Sequence, residues 1–288
     1  MENPQPIGNK NVLENPFLGG IMVPIAIVLV GALIIFGVTR MLSSQRDYHD
    51  LVRELDSKTF GNRWVAAFEL SKLISTAQIP QGDVPVLVAD LARIYSSSAD
   101  ARTRNFLIVA LGALKSEAAV ATLEKGLADS NKDVVFHAVV ALGNTPLGYK
   151  VNWDKLLPFL KSADPGLVQA VIFTLAHHRV EKARENLIGL LGHSSLAVKY
   201  SAATGLIYYK ENQALPILEE ILQLTAAIDA EKVLFRAGQI RALKSNVLAA
   251  LVKIKWPVLN EIIKTLAHSN SDIKIVAQAR DALNQLKN

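Results

Sequence analysis

An eight-residue motif that returns along most of the chain constrains its fold more than any other feature. Aligned on a basic or apolar residue with apolar residues three, four and seven places later, it reads RWVAAFEL from Arg63, RNFLIVAL from Arg104, VFHAVVAL from Val135 and VQAVIFTL from Val168. It continues as KYSAATGL from Lys199, KSNVLAAL from Lys244 and, in degenerate form, KIVAQARD from Lys274. The anchors lie 41, 31, 33, 31, 45 and 30 residues apart, which implies a repeated unit with insertions at two places. Position three holds Ala66, Leu107, Ala138, Val171, Ala202, Val247 and Ala277; position seven holds Leu70, Leu111, Leu142, Leu175, Leu206 and Leu251, then Asp281. A polar residue in the last unit is what an exposed terminal cap should show.

Each motif follows a second apolar-periodic segment: YHDLVREL, VPVLVADLARIY, AVATLEKGL, WDKLLPFL, ENLIGLL, LPILEEILQL and VLNEIIKTL. Between the two members lie residues suited to cap a helix N-terminus: Asp100, Ser130 and Asn131, Asp164, Ser194, and Asn270 with Asp272. The spacing therefore predicts two antiparallel helices per unit, seven units in all, stacked as an all-α solenoid over residues 43–288. Small residues at positions three and four let second helices approach closely, and leucine at seven fills the seam. Composition agrees, with 50% hydrophobic residues but only 6% aromatic and no strand-like alternation. The absence of cysteine excludes disulfide frameworks, zinc-thiolate sites and thiol nucleophiles.

This pattern resembles HEAT repeats, in particular the short HEAT-like repeats of bacterial and cyanobacterial proteins that include the phycobilisome-lyase type. The carriers are the second-helix segments above, with Asp100, Asp164 and Asp272 near the turns. The arginine such repeats place in the second helix is matched by Arg63 and Arg104 and by Lys199, Lys244 and Lys274, whereas Val135 and Val168 depart from it and interrupt any charge ladder. The resemblance implies a scaffold that binds other proteins and does not by itself name them.

Ahead of the repeats, after a polar tail over 1–16, residues 17–42 read FLGGIMVPIAIVLVGALIIFGVTRML, with no charge before Arg40. As a helix this run is long enough to cross a hydrocarbon core of roughly 30 Å. It starts too far from the N-terminus and is too long for a signal peptide. A transmembrane helix embedded in the lipid bilayer is expected here. Lys10 lies before it, and Arg40, Arg46 and Arg53 lie at or beyond its end, which places the tail outside and the solenoid in the cytoplasm, as for a bacterial inner-membrane protein.

Chemistry-bearing motifs are sparse. The pair His177–His178 is the one histidine cluster, and adjacent helical residues point about 100° apart, unlike a chelating i, i+4 pair, so helix-end and surface roles are expected. The chain has no P-loop, GxGxxG or GxSxG motif, and none of the repeated His-Glu dipeptides of HEAT-like metal hydroxylases; nor does anything mark a pigment site. No enzyme, cofactor or metal is expected. Between Lys232 and Lys255 the chain carries six basic residues and no acid, which makes Arg236, Arg241 and Lys244 the leading candidates for docking an acidic partner. Trp64, a large aromatic beside Arg63 in the unit nearest the membrane run, is a further candidate contact. A net charge of +5 is too mild to favour nucleic acid. The expected role is a membrane-anchored adaptor, or alternatively a regulatory or assembly subunit of a membrane transport or secretion complex.

Overall fold

The computed structural model describes residues 47–57, 63–225, 236–269 and 271–287. Two compact units are distinguished, Met1–Leu51 and Val52–Asn288. Of the first, only residues 47–51 are described; the tail over 1–16 and the membrane run over 17–42 lie outside the described residues, as does Lys232. Among the described residues no helix is long and apolar enough to cross a membrane.

The described residues form helices and turns in the expected alternation, with no strand among them. In chain order these are α1 (Tyr48–Asp56) and α2 (Arg63–Ser75), α3 (Val84–Ser97) and α4 (Ala101–Ala113), and α5 (Val120–Gly126) and α6 (Lys132–Gly143). Two 3₁₀ turns (Trp153–Lys155 and Leu157–Lys161) precede α7 (Pro165–His177). There follow α8 (Arg184–Gly189) and α9 (Leu196–Leu206), α10 (Leu215–Gln223) and α11 (Ala237–Ile254), and α12 (Asn260–Ser269) and α13 (Ile273–Lys287). The first member of the fourth pair is thus 3₁₀ and not α-helical. Pro158 stands in the first turn of its 3₁₀ segment, the place Pro85 and Pro216 take in the α-helical first members α3 and α10, so proline alone does not set the difference.

The second helices pack one on the next, α2 on α4, α4 on α6, α6 on α7, α7 on α9, α9 on α11 and α11 on α13. Motif positions three and seven from Ala66 to Leu251 are fully buried, as the pattern requires. Asp100, Asn131 and Asp164 cap α4, α6 and α7 by accepting backbone N–H bonds from the first turn. The fifth cap is Ser195 instead of Ser194; its own N–H donates to His193 Nδ1 at 3.0 Å and its side chain makes no cap bond.

The seventh motif is displaced by two residues from the expected register. Asp272 accepts the Lys274 N–H at 3.0 Å, and its carbonyl accepts from Val276, so it stands four residues before Val276 as Asp100 does before Arg104. The unit therefore reads VAQARDAL from Val276, with Ala279 buried at position three. Position four becomes Arg280, which is exposed, and position seven Leu283, which is part-buried.

Helix spacing follows from positions six and eight. A Cβ on Gly112 (eight) would lie 2.6 Å from the Ala141 Cβ (six of the next unit), and one on Gly143 would lie 2.5 Å from Thr174 Oγ1. The same pairing brings Ala176 against Gly205, where an added Cβ would lie 3.3 Å away. At the α9–α11 step, position eight is Ile207 and no longer a small residue. A branched side chain at the contact point holds these two helices further apart.

Five second helices end with a non-glycine residue in the left-handed region: Ala77, Lys115, Arg179, Lys210 and Lys255, with φ between 48° and 54°. At four of them the next residue's N–H bonds the carbonyl five residues back, as from Val180 to Leu175 and Glu211 to Leu206. Four of the five are basic, which places positive charge against the negative end of the helix dipole.

Candidate functional site

With positions three, four, six, seven and eight turned inward, positions one, five and nine of each second helix form an outer ladder, broken at Tyr200, which is buried. From α2 to α11 it reads Trp64, Phe68 and Lys72; Asn105, Val109 and Ala113; Phe136, Val140 and Asn144. It continues as Gln169, Phe173 and His177; Tyr200, Thr204 and Tyr208; Ser245, Ala249 and Lys253. These eighteen positions hold many of the chain's aromatic side chains, two lysines and no carboxylate. Phe68 and Phe173 are 49% and 57% exposed, unusual for phenylalanine and in keeping with a contact surface.

The ladder is grooved where the helices diverge. A groove of about 270 Å³ between α7, α9 and α11 is walled by Ile172, Phe173, Ala176, Tyr208 and Ala250, with Lys253 at one end. Gln169, Ser201, Thr204 and Asn246 supply hydrogen-bonding groups along it. Next to it, at the C-terminal end of α7, the structure gathers an aromatic cluster. The His177 ring stacks on Phe173 with centroids 5.8 Å apart and meets Tyr208 edge-on at 6.1 Å; His178 lies 4.4 Å from Trp153.

The surroundings of both imidazoles disfavour the charged form. Burial lowers the His177 pKa first, reinforced by the nearby Lys253 and His178 charges. Lys253 Nζ lies 3.2 Å from His177 Nδ1, and because an ammonium can only donate, Nδ1 accepts and the ring proton sits on Nε2. Burial likewise lowers the His178 pKa, against the opposing effect of its hydrogen bond to the Gly143 carbonyl, with Nε2 at 3.1 Å. The pair does occupy a helix end, as its spacing suggested, but there it builds part of a cavity.

The residues singled out in the sequence fall in three places. Trp64 is on the ladder, 38% exposed, stacked on Phe106 at 6.5 Å with the Arg102 guanidinium 5.8 Å from its ring. Phe68 meets the same Phe106 edge-on at 5.5 Å, so Trp64 belongs to a three-ring patch across α2 and α4. Arg236 is exposed at the start of α11, where its N–H donates to Gln239 Oε1 at 2.9 Å. Arg241 and Lys244 point elsewhere. Arg241 Nε donates to Asp272 Oδ2 at 2.5 Å, and Lys244 is 3% exposed with its pKa lowered by burial and supported by the same carboxylate. Both engage the residue that caps α13; Lys244 is buried, whereas the Arg241 side chain stays 43% exposed beside Asp272.

This use of the basic anchor recurs along the stack. Arg104 holds Asp129 through two bonds of 2.7 and 2.9 Å and also donates to the Ser98 and Ala99 carbonyls. Lys199 pairs with Glu220 at 2.9 Å, and Arg63 donates to the Ser57 carbonyl. Val135 and Val168 fill the same position as buried apolar residues, so the ladder of charges is interrupted there.

Residues 153–237 match the family model of HEAT repeats. The match to HEAT repeats covers 85 of the 288 residues. Among solved structures, it superposes on the YibA protein of Escherichia coli with a TM-score of 0.54 at 17% identity, over 85% of each chain. It also superposes on the complex of CpcE and CpcF of phycocyanin lyase from a Nostoc species, with a TM-score of 0.55 at 18% identity over 83% of this chain and 94% of that one. At these identities the likeness is one of fold. No curated protein matches the chain in sequence.

Proposed function

We propose that this HEAT-repeat chain is a membrane-anchored adaptor that docks other proteins on the exposed ladder of its second helices. The observation that carries this reading is the groove between α7, α9 and α11, where exposed Phe173 and half-buried Tyr208 line an apolar trough edged with hydrogen-bonding side chains. Apolar anchors in a groove with a polar rim are what a protein interface uses. The apolar run over 17–42 supports the anchor, and the basic residues following it support a cytoplasmic solenoid. Tethering would raise the local concentration of the adaptor near membrane clients without any catalytic step. The Trp64, Phe68 and Phe106 patch offers a second contact area on the same ladder, and Arg236 an exposed charge at the start of α11.

The test is recovery of partners by the full-length protein from cells, compared with Phe173→Asp and with Val86→Asp, the latter on the exposed side of first helix α3. The adaptor reading expects specific partners to be lost from Phe173→Asp and kept by Val86→Asp. Equal recovery by both variants would contradict it. A reporter fused to the C-terminus tests the orientation, since activity confined to the far side of the membrane would reverse it.

A further inference from the structure

The cavity at the end of α7 differs in charge from the rest of the ladder. It encloses about 490 Å³ and adjoins the groove, with Tyr208 and Lys253 lining both. Its walls include Trp153, His177, His178, Arg179, Tyr208 and Lys253, drawn from four separate segments, and neither cavity nor groove has a carboxylate in its lining. Among the described residues neither Lys253 nor Arg179 takes part in an ion pair, although nearby Lys182, Arg184 and Lys199 all do. The contacts of the Lys253 ammonium are His177 Nδ1 at 3.2 Å and the face of the Tyr208 ring at 5.5 Å. Both are weak counterparts for a cation compared with a carboxylate, so a positive potential remains at the mouth of the cavity.

We propose that cavity and groove together take an acidic, apolar segment of a partner protein. A glutamate or aspartate side chain would enter the cavity and accept hydrogen bonds from Lys253. Neighbouring apolar side chains would lie in the groove against Phe173, Ile172 and Ala250. An extended peptide suits this surface better than a lipid tail, because Asn246 can pair with its backbone groups and the Ser201 and Thr204 hydroxyl oxygens, whose protons go to Gln169 Oε1 and the Tyr200 carbonyl, can still accept from its N–H groups, for which an acyl chain has no use. The inference rests on the docking role proposed above and adds the chemistry of the partner.

The experiment is fluorescence anisotropy with the full-length protein in detergent micelles and two labelled peptides, one alternating glutamate with phenylalanine, the other carrying glutamine in place of every glutamate. The acidic peptide is expected to bind roughly ten-fold more tightly than its isostere. Lys253→Met, which keeps the apolar stem, should abolish that preference, and Lys264→Met, on exposed α12, should leave it intact. Equal affinity for the two peptides, or an undiminished preference in Lys253→Met, would overturn the proposal. So would binding of laurate that Lys253→Met weakens while neither peptide binds, which would assign the site to a lipid ligand. Loss of cellular partners in Phe173→Asp together with equal affinity for the two peptides would leave the docking role standing and remove the acidic segment.

Discussion

Gly112 of α4 and Ala141 of α6 approach so closely that a Cβ on the glycine would sit 2.6 Å from the alanine Cβ and 3.2 Å from its Cα. The obstruction is partly backbone, so the two helices would have to part to admit a methyl group. Gly112→Ala is expected to destabilise the solenoid by about 1–3 kcal/mol. Gly189 on α8 has nothing within 4 Å of its added Cβ, and Gly189→Ala should be neutral or stabilising by up to about 1 kcal/mol through helix propensity. Urea unfolding of the two variants beside the parent checks both signs.

Lys210 closes α9 in the left-handed conformation, with φ 53°. A side chain there meets its own backbone, a strain glycine does not carry. Lys210→Gly should therefore raise stability by about 0.5–1 kcal/mol, less a small loss of favourable charge at the helix end. Lys210→Ala keeps the strain and removes the charge. It should be slightly destabilising, which separates the two contributions in a thermal melt.

Asp129 predicts a pH dependence. The Arg104 guanidinium holds its carboxyl down to about 2, assisted by the Asn131 N–H and the Tyr95 hydroxyl and opposed by burial. In the unfolded chain the group returns to about 3.8, so its contribution is fully present above that value and is lost as pH falls toward 2. The loss should amount to about 2 kcal/mol, and the stability difference between the parent and Asp129→Asn should shrink over the same interval. A difference that stays constant from pH 5 to pH 2 would show that the pair does not hold the charged form.

The buried seam was readable because it repeats. Leucine at position seven and alanine, valine or leucine at three recur at the same offsets, and all of them from Ala66 to Leu251 are in the core. Read along the same alignment, positions one, five and nine would have revealed the exposed ladder, and the basic residues just past the helix ends would have revealed the left-handed caps. The last repeat misled for a physical reason. Position four is Arg280 there, and only Ile275, Ala279 and Ala282 are buried to mark the register. The engagement of Arg241 and Lys244 with Asp272 was not legible because that carboxylate belongs to the next unit, as Asp129 does for Arg104. The histidine cavity was hidden for a similar reason, since Trp153, His177, Tyr208 and Lys253 are scattered over a hundred residues and only the stacking of the repeats brings them together.

Whether partners dock on the second-helix ladder can be read directly by site-specific photocrosslinking in cells. A photoreactive amino acid would replace, one at a time, Phe136 and Phe173 on the ladder and Val86 on first helix α3. The account predicts that the two ladder positions trap the same partner and that Val86 does not. Crosslinks of equal strength from Val86, or none from Phe173 in a protein that is folded and abundant, would contradict it.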